Sequence, residues 1–256
     1  MLIKFNGTDD NPLGRAITSS ENSWLASLST LGACIGALIY GALSSKFGRK
    51  TLLVSLGFPF LIFYLVMAWA KTIWLFYISR FFTGFGLGGV FTIIPIYSAE
   101  LADVNNRGIL GASMTVFVNI GMLIPYCVGP FIPFFWFHIV LAAIPAAYIL
   151  LFIFFAPESP HFIIQKDHDA AEKILVKLRG SDEAARHLAL IETELENVSN
   201  ATLLEIFKTK SLCKALLIGL GGFTFMQLTG TVVVASYTQT IFETAGGNIP
   251  PEIGPI

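Results

Sequence analysis

The chain has 256 residues, 54% hydrophobic and 13% charged, and its 16 lysines and arginines against 17 aspartates and glutamates leave a net charge of -1. With a mean hydropathy of +0.71, that composition excludes a soluble globular domain and a nucleic-acid partner, and predicts an all-α, polytopic membrane protein. A transmembrane barrel is excluded too, because barrel strands alternate in polarity whereas these apolar runs are long and continuous.

In chain order, residues 1–23 are polar, and the stretch from Lys4 to Ser23 has no apolar centre of the kind a cleavable secretory signal needs. Six spans are predicted, at 24–43, 51–70, 74–98, 109–130, 135–155 and 212–237. Each has about the twenty residues that a bilayer core requires. The connections 44–50, 100–108 and 157–211 carry nearly all the lysine and arginine, while 71–73 and 131–134 carry almost none. The positive-inside rule therefore places the first set in the cytoplasm and both termini outside, which suggests a further helix before Met1. On that topology the Asn6 sequon is open to glycosylation, and Asn197 and Asn200 are not. Trp136 and His138 fall near the outer boundary and are expected to anchor it.

The run 79–108 carries the most information. Gly84, Gly86, Gly88 and Gly89 leave faces free of side chains, and Gly84 to Gly88 is a small-xxx-small spacing at which another helix can approach. Arg80 is expected to open this span, and Pro95 to bend or end it before Glu100 and Arg107. In 157–211, Ala170, Ile174, Leu175 and Leu178 share a face of a short helix ending at Gly180, and Leu188, Ile191 and Leu195 mark a second amphipathic face. Lys173, Lys177 and Arg179 suit a calmodulin-type target, but the acidic residues among them favour a plain solvated face.

The span boundaries form a pattern. The first charged loop reads G-A-L-S-S-K-F-G-R-K, where Gly48 is expected to allow a tight turn and Arg49 and Lys50 to stay at the inner surface. The second reads P-I-Y-S-A-E, from Pro95 to Glu100, with Arg107 and Gly108 after it; the third reads P-E-S-P-H, from Pro157 to His161, and adds Glu158. Anchoring alone needs only cations, so the two glutamates point to a latch that joins helix ends in one conformation and releases them in another. Nothing resembles an enzyme: Ser159 and His161 lie in a boundary loop, and the glycine run lacks the strand that a phosphate loop follows. Cys34, Cys127 and Cys213 have no metal-ligand spacing, and no metal or cofactor is expected.

These boxes, with Q-L-T-G at Gln227 to Gly230, resemble the sugar porter family of the major facilitator superfamily in order and spacing. The stretch from Asn11 to Trp24 is similar to the first external loop of the insect facilitated trehalose transporters. The resemblance implies a partial facilitator bundle in which the six spans correspond to the family's second to seventh helices, so the chain is expected to be incomplete. It divides the chain into an external loop remnant (1–23), most of the amino-terminal bundle (24–155), a cytoplasmic helical segment (156–211), the first helix of the second bundle (212–242) and an external tail (243–256). It implies a carrier of the plasma membrane that moves trehalose or a hexose by alternating access, with the lipid bilayer and the sugar as partners. The charge network would comprise Arg49, Lys50, Arg80, Glu100, Arg107 and Glu158. Sugar would be bound by Gln227, with Thr229, Tyr126 and Tyr237, and Asn119 would rather fix packing through an interhelical hydrogen bond. Ser45 and His161 replace a latch aspartate and arginine, and Met226 and Val232 replace sugar-binding amides. Those departures keep open a non-transporting paralogue and a carrier of another small solute.

Overall fold

The computed structural model describes residues 11–102, 106–129, 131–164, 168–179, 188–189, 191, 193, 209–230 and 234, and among these all regular structure is helical. The helices are α1 (Ser19–Leu43), α2 (Arg49–Trp69), α3 (Ile73–Leu101), α4 (Arg107–Val128), α5 (Phe134–Phe155), the short α6 (Pro160–Ile163), α7 (His168–Arg179) and α8 (Lys210–Leu228). Six of them, α1 to α5 and α8, are long and apolar enough to cross a membrane. The chain forms two compact units, 1–171 and 172–255.

The spans stand where hydropathy puts them, but their ends are set by polar chemistry. α1 begins five residues before the predicted start, because Thr18 Oγ1 accepts the Glu21 amide at 3.2 Å while the Glu21 carboxylate accepts the Thr18 amide at 2.9 Å. This capping box satisfies two amides that a helix start leaves unpaired. Arg15 adds a two-pronged bond to Glu21, at 2.9 and 2.5 Å. The turn before it is tied by Asn11, which accepts from the Leu13 amide and donates to the Arg15 carbonyl, and Gly14 supplies the left-handed φ of 63° that closes it.

α3 is the central helix of the first unit. Of the two outcomes expected at Pro95, ending does not occur: the helix runs unbroken for 29 residues with the proline inside it. A proline in a membrane helix forfeits one backbone hydrogen bond, which neighbouring packing makes tolerable. At 1.5 Å per residue the helix is about 43 Å long, more than a bilayer core needs. Arg80 does not open α3 either; it is the eighth residue, on the third turn, part-buried and within electrostatic reach of Tyr64.

The glycines of α3 divide between two neighbours. A Cβ on Gly84 or Gly88 would overlap the carbonyl oxygens of Ser29 and Ala33 on α1, and one on Gly32 or Gly36 of α1 would overlap those of Phe81 and Phe85. The two helices thus touch backbone to backbone along an interleaved seam. Gly86 and Gly89 instead receive the side chains of Phe60 and Leu56 from α2, and Gly57 of α2 receives Ile149 of α5. Around this frame lie two apolar clusters, one of Leu25, Met67, Ala70, Phe76 and Phe134, the other of Tyr40, Leu52, Leu53, Leu56, Ile93 and Tyr97.

His138 is 1% exposed and bonds through Nδ1 to the Phe134 carbonyl at 2.9 Å, between the rings of Phe134 and Phe137. It is therefore a packed core residue and not the boundary anchor expected from the sequence; the neighbouring Trp136 is exposed. α4 has no buried residue among those described, and neither has α8. Among the described side chains of α7, Ala171 and Leu175, one turn apart, are buried, and so are Leu188 and Ile191 further along the chain. Gly180, Leu195 and the sequons at Asn6, Asn197 and Asn200 lie outside the described residues, as do the side chains of Ala170 and Leu178.

The seam yields a prediction in which the sign is the test. Replacing an exposed helical glycine by alanine normally stabilises a helix by up to about 1 kcal/mol. Gly88→Ala should instead destabilise the protein by about 1–3 kcal/mol through overpacking against a carbonyl that cannot turn aside. Gly111→Ala, which meets open space, should be neutral or stabilising. Thermal unfolding in detergent measures both.

Candidate functional site

Three chain segments converge at the end of the bundle that carries the charges: the loop before α2 with its first turn, the last turn of α3, and the link from α5 to α6. Arg49 is the first residue of α2 and Glu100 the next-to-last of α3. The Arg49 guanidinium grips both oxygens of Glu100, donating from Nε at 3.1 and 3.0 Å and from NH2 at 2.8 Å. Its remaining arm donates to the Ser44 carbonyl at 2.9 Å, and its carbon stands 5.7 Å from the centre of the Phe162 ring. The planar fork of arginine matches a carboxylate in this two-pronged manner, which lysine does not. The two side chains are only 16% and 13% exposed, so the pair is largely withdrawn from water and tightly satisfied.

Ser159 completes the carboxylate's shell. It is fully buried, and its hydroxyl donates to Glu100 Oε2 at 2.5 Å. The preceding Glu158 takes a different partner: its Oε1 accepts the Lys50 amide at 2.9 Å and the Ser159 amide at 3.0 Å. A carboxylate on the unpaired amides of a helix start is stabilised by both hydrogen bonding and the helix dipole. Gly48 is explained by this contact. Its φ of -59° and ψ of 142° are open to any residue, but a Cβ would overlap the Glu158 carboxylate. The sequence expectation of a glycine needed for a tight turn is therefore corrected: the glycine is needed for space.

Two further ties close the site. The Tyr97 hydroxyl donates to the Pro157 carbonyl at 2.7 Å, and the Lys50 ammonium donates to the Ile153 carbonyl at 2.8 Å. Tyr97 lies three residues before Glu100 on the same face of α3, so one helix face holds both the ionic and the neutral contact. Tyr97 and Phe162 were not singled out from the sequence, and Ser159 was named there only as a boundary-loop residue with no catalytic role. Tyr97 and Ser159 stand inside the motifs already noted, but neutral residues give no charge signal.

The other predicted residues are placed as follows. Ser45 turns back on its own helix end, its hydroxyl donating to the Ala42 carbonyl at 3.1 Å, and adds nothing to the cluster. Arg80 is 20 residues before Glu100 on α3, about 30 Å along the axis, so the structure does not bring it to this site. Arg107 begins α4 but its side chain lies outside the described residues, as do the side chain of Tyr126 and all of Val232 and Tyr237. Gln227 is exposed in the last turn of α8, and Thr229 caps that helix, its hydroxyl donating to the Met226 carbonyl at 2.6 Å. Asn119 is exposed and donates to the Thr115 carbonyl of its own helix at 2.8 Å.

Removing one partner of so enclosed a pair leaves the other uncompensated. Arg49→Ala should cost about 3–5 kcal/mol of stability, and the Arg49→Ala, Glu100→Ala double variant distinctly less than the sum of the single changes. Detergent-based unfolding of the four proteins in the cycle measures the coupling.

Comparison with known proteins adds a family to this geometry. The chain is 31% identical over 247 residues to the facilitated trehalose transporter Tret1 of Aedes aegypti, covering 94% of this chain and 30% of that protein. It is 33% identical over 238 residues to the sugar transporter ERD6-like 6 of Arabidopsis thaliana, covering 90% and 48%. With the human solute carrier family 2, facilitated glucose transporter member 6, it shares 30% identity over 92% of this chain and 47% of that one. The chain thus spans less than half the length of these curated relatives. In fold it is similar to the proton:xylose symporter XylE bound to 6-bromo-6-deoxy-D-glucose, with a TM-score of 0.80 at 24% identity, over 96% of this chain and 58% of that one. A partially occluded inward open structure of XylE from E. coli gives 0.76 at 23% identity, over 99% and 62%. The family model described as Sugar (and other) transporter matches residues 3–250, and the chain belongs to that family of multi-pass membrane proteins.

Proposed function

We propose that the chain is part of a facilitative carrier of the plasma membrane that moves trehalose or a hexose by alternating access. The observation that carries this reading is the cluster of Arg49, Glu100, Ser159, Lys50 and Glu158, which ties α2, α3 and the α5–α6 link at one end only. A static anchor needs cations facing lipid headgroups. A carboxylate held by an arginine fork and a serine is instead a discrete contact that is either made or broken, as a two-state gate requires. The names of the relatives support the substrate class: trehalose and glucose carriers among them share the chain over nearly all of its length.

On this reading the cluster stabilises one access state, and Arg107 joins it from the start of α4. Gln227 and Thr229 of α8 are proposed to bind sugar, and Tyr126 and Tyr237 to supply further polar groups to it. A carrier of another small solute is favoured by one feature, the exposed Met226 beside Gln227, which offers a thioether where a sugar hydroxyl needs an amide.

Transport by a complete form in vesicles tests both points. Glu100→Gln and Arg107→Ala should each slow labelled trehalose or glucose uptake roughly tenfold, equivalent to about 1.4 kcal/mol, with surface abundance little changed. Unchanged uptake in both variants overturns the gate. Absence of trehalose and glucose uptake in the unmodified carrier overturns the substrate class.

A further inference from the structure

At the end of the bundle opposite Arg49 and Glu100, α1 and α3 leave between their first turns a groove of about 870 Å³. Its mouth is formed by Trp24, Trp74 and Tyr77 around the Glu21 carboxylate, and its depth by apolar side chains such as Leu28, Ile78 and Phe82. Trp24 and Trp74 are 57% and 71% exposed, and the Trp74 and Tyr77 rings meet edge to face at 5.6 Å. From Glu21 to Leu28 is two turns of helix, about 10 Å, so polarity falls from a charged, aromatic rim to a purely hydrocarbon floor over the depth of a lipid headgroup and the first part of its chain.

The chemistry of the rim selects the occupant. Aromatic faces grouped about a carboxylate attract a cation with little hydration, and quaternary ammonium groups are recognised in this way. Arg15, locked to Glu21 and half-exposed, stands beside that carboxylate as a fixed positive charge. The pair is therefore a zwitterion whose complement is another zwitterion, with ammonium over Glu21 and phosphate against Arg15. A sugar fits poorly: the Glu21 oxygens already accept from Arg15 and Thr18, which a quaternary ammonium with no N–H to donate tolerates, whereas the apolar walls would leave most sugar hydroxyls without partners, at about 1–3 kcal/mol each. An acyl chain alone would fill the depth but leave the indoles and the charge pair unused.

We propose that this groove seats a phospholipid with an ammonium headgroup, drawn from the leaflet at this end, which the loop charges make the outer one. The chain, purified in mild detergent and stripped of lipid, would be incubated with micelles of phosphatidylcholine or of phosphatidylglycerol carrying the same tails. Native mass spectrometry then counts the retained lipid. Choline lipid should be retained several-fold over glycerol lipid, and Trp74→Ala and Glu21→Gln should each remove that preference. Because Glu21 also caps α1, the exposed Trp74 is the cleaner probe, and unchanged helicity by circular dichroism confirms that either variant is folded. Equal retention of the two headgroups, or a preference that survives Trp74→Ala in folded protein, overturns the proposal.

Discussion

In a bilayer, burying apolar surface between two helices gains nothing from the solvent, since lipid tails are as apolar as leucine, and close packing has to supply the attraction. The seam between α1 and α3 meets that constraint in the barest way. Gly32 and Gly36 lie against the carbonyls of Phe81 and Phe85, and Gly84 and Gly88 against those of Ser29 and Ala33. With no side chains between them the backbones fix one another's rotation and height. That in turn determines which faces of α3 remain for α2, and hence where Gly86 and Gly89 receive Phe60 and Leu56. The positions of Arg49 and Glu100, at the ends of α2 and α3, follow from the same frame.

The charged end uses a different kind of contact. Glycine seams are short-ranged and permissive of only one arrangement, whereas an arginine fork on a carboxylate can open and find water on both sides. Glu100 and Glu158 are adjacent to the same serine yet face different partners, one an ionic side chain and the other the amides at the start of a helix. The first bond depends on Arg49 and the second only on backbone. A rearrangement that frees Glu100 therefore need not free Glu158, and the link from α5 to α6 can stay docked on α2 while α3 moves.

What was legible in the sequence follows from which forces leave a trace in it. Span number and position were legible because a bilayer demands length and apolarity together. The start of α1 was not, because Thr18 and Glu21 cap the helix with residues that read as loop. Pro95 does not end α3 because its usual cost in water is offset in a packed membrane helix. Arg49, Glu100 and Glu158 stood out as charges at span ends, while Ser159 and Tyr97 did not, since their contribution depends on which neutral oxygen lies opposite. Gly48 carried a real signal with the wrong cause attached, since sequence does not distinguish a glycine needed for its φ from one needed for its missing Cβ. The candidate sugar residues Gln227 and Thr229 belong to the second unit and Tyr126 to the first, so no periodicity within one helix links them.

The α1–α3 seam joins helices that are not consecutive, and this bears on how the protein is made. The glycines of α1 emerge from the ribosome about fifty residues ahead of those of α3. At about 5–20 residues per second, α1 waits roughly 3–10 s in the membrane with its bare backbone strip facing lipid or the insertion machinery. During that interval α2, the helix beside it in sequence, offers no matching strip to dock on. Assembly order is thereby imposed: α1 is held open for a partner two helices further along the chain, and the seam closes only when α3 enters.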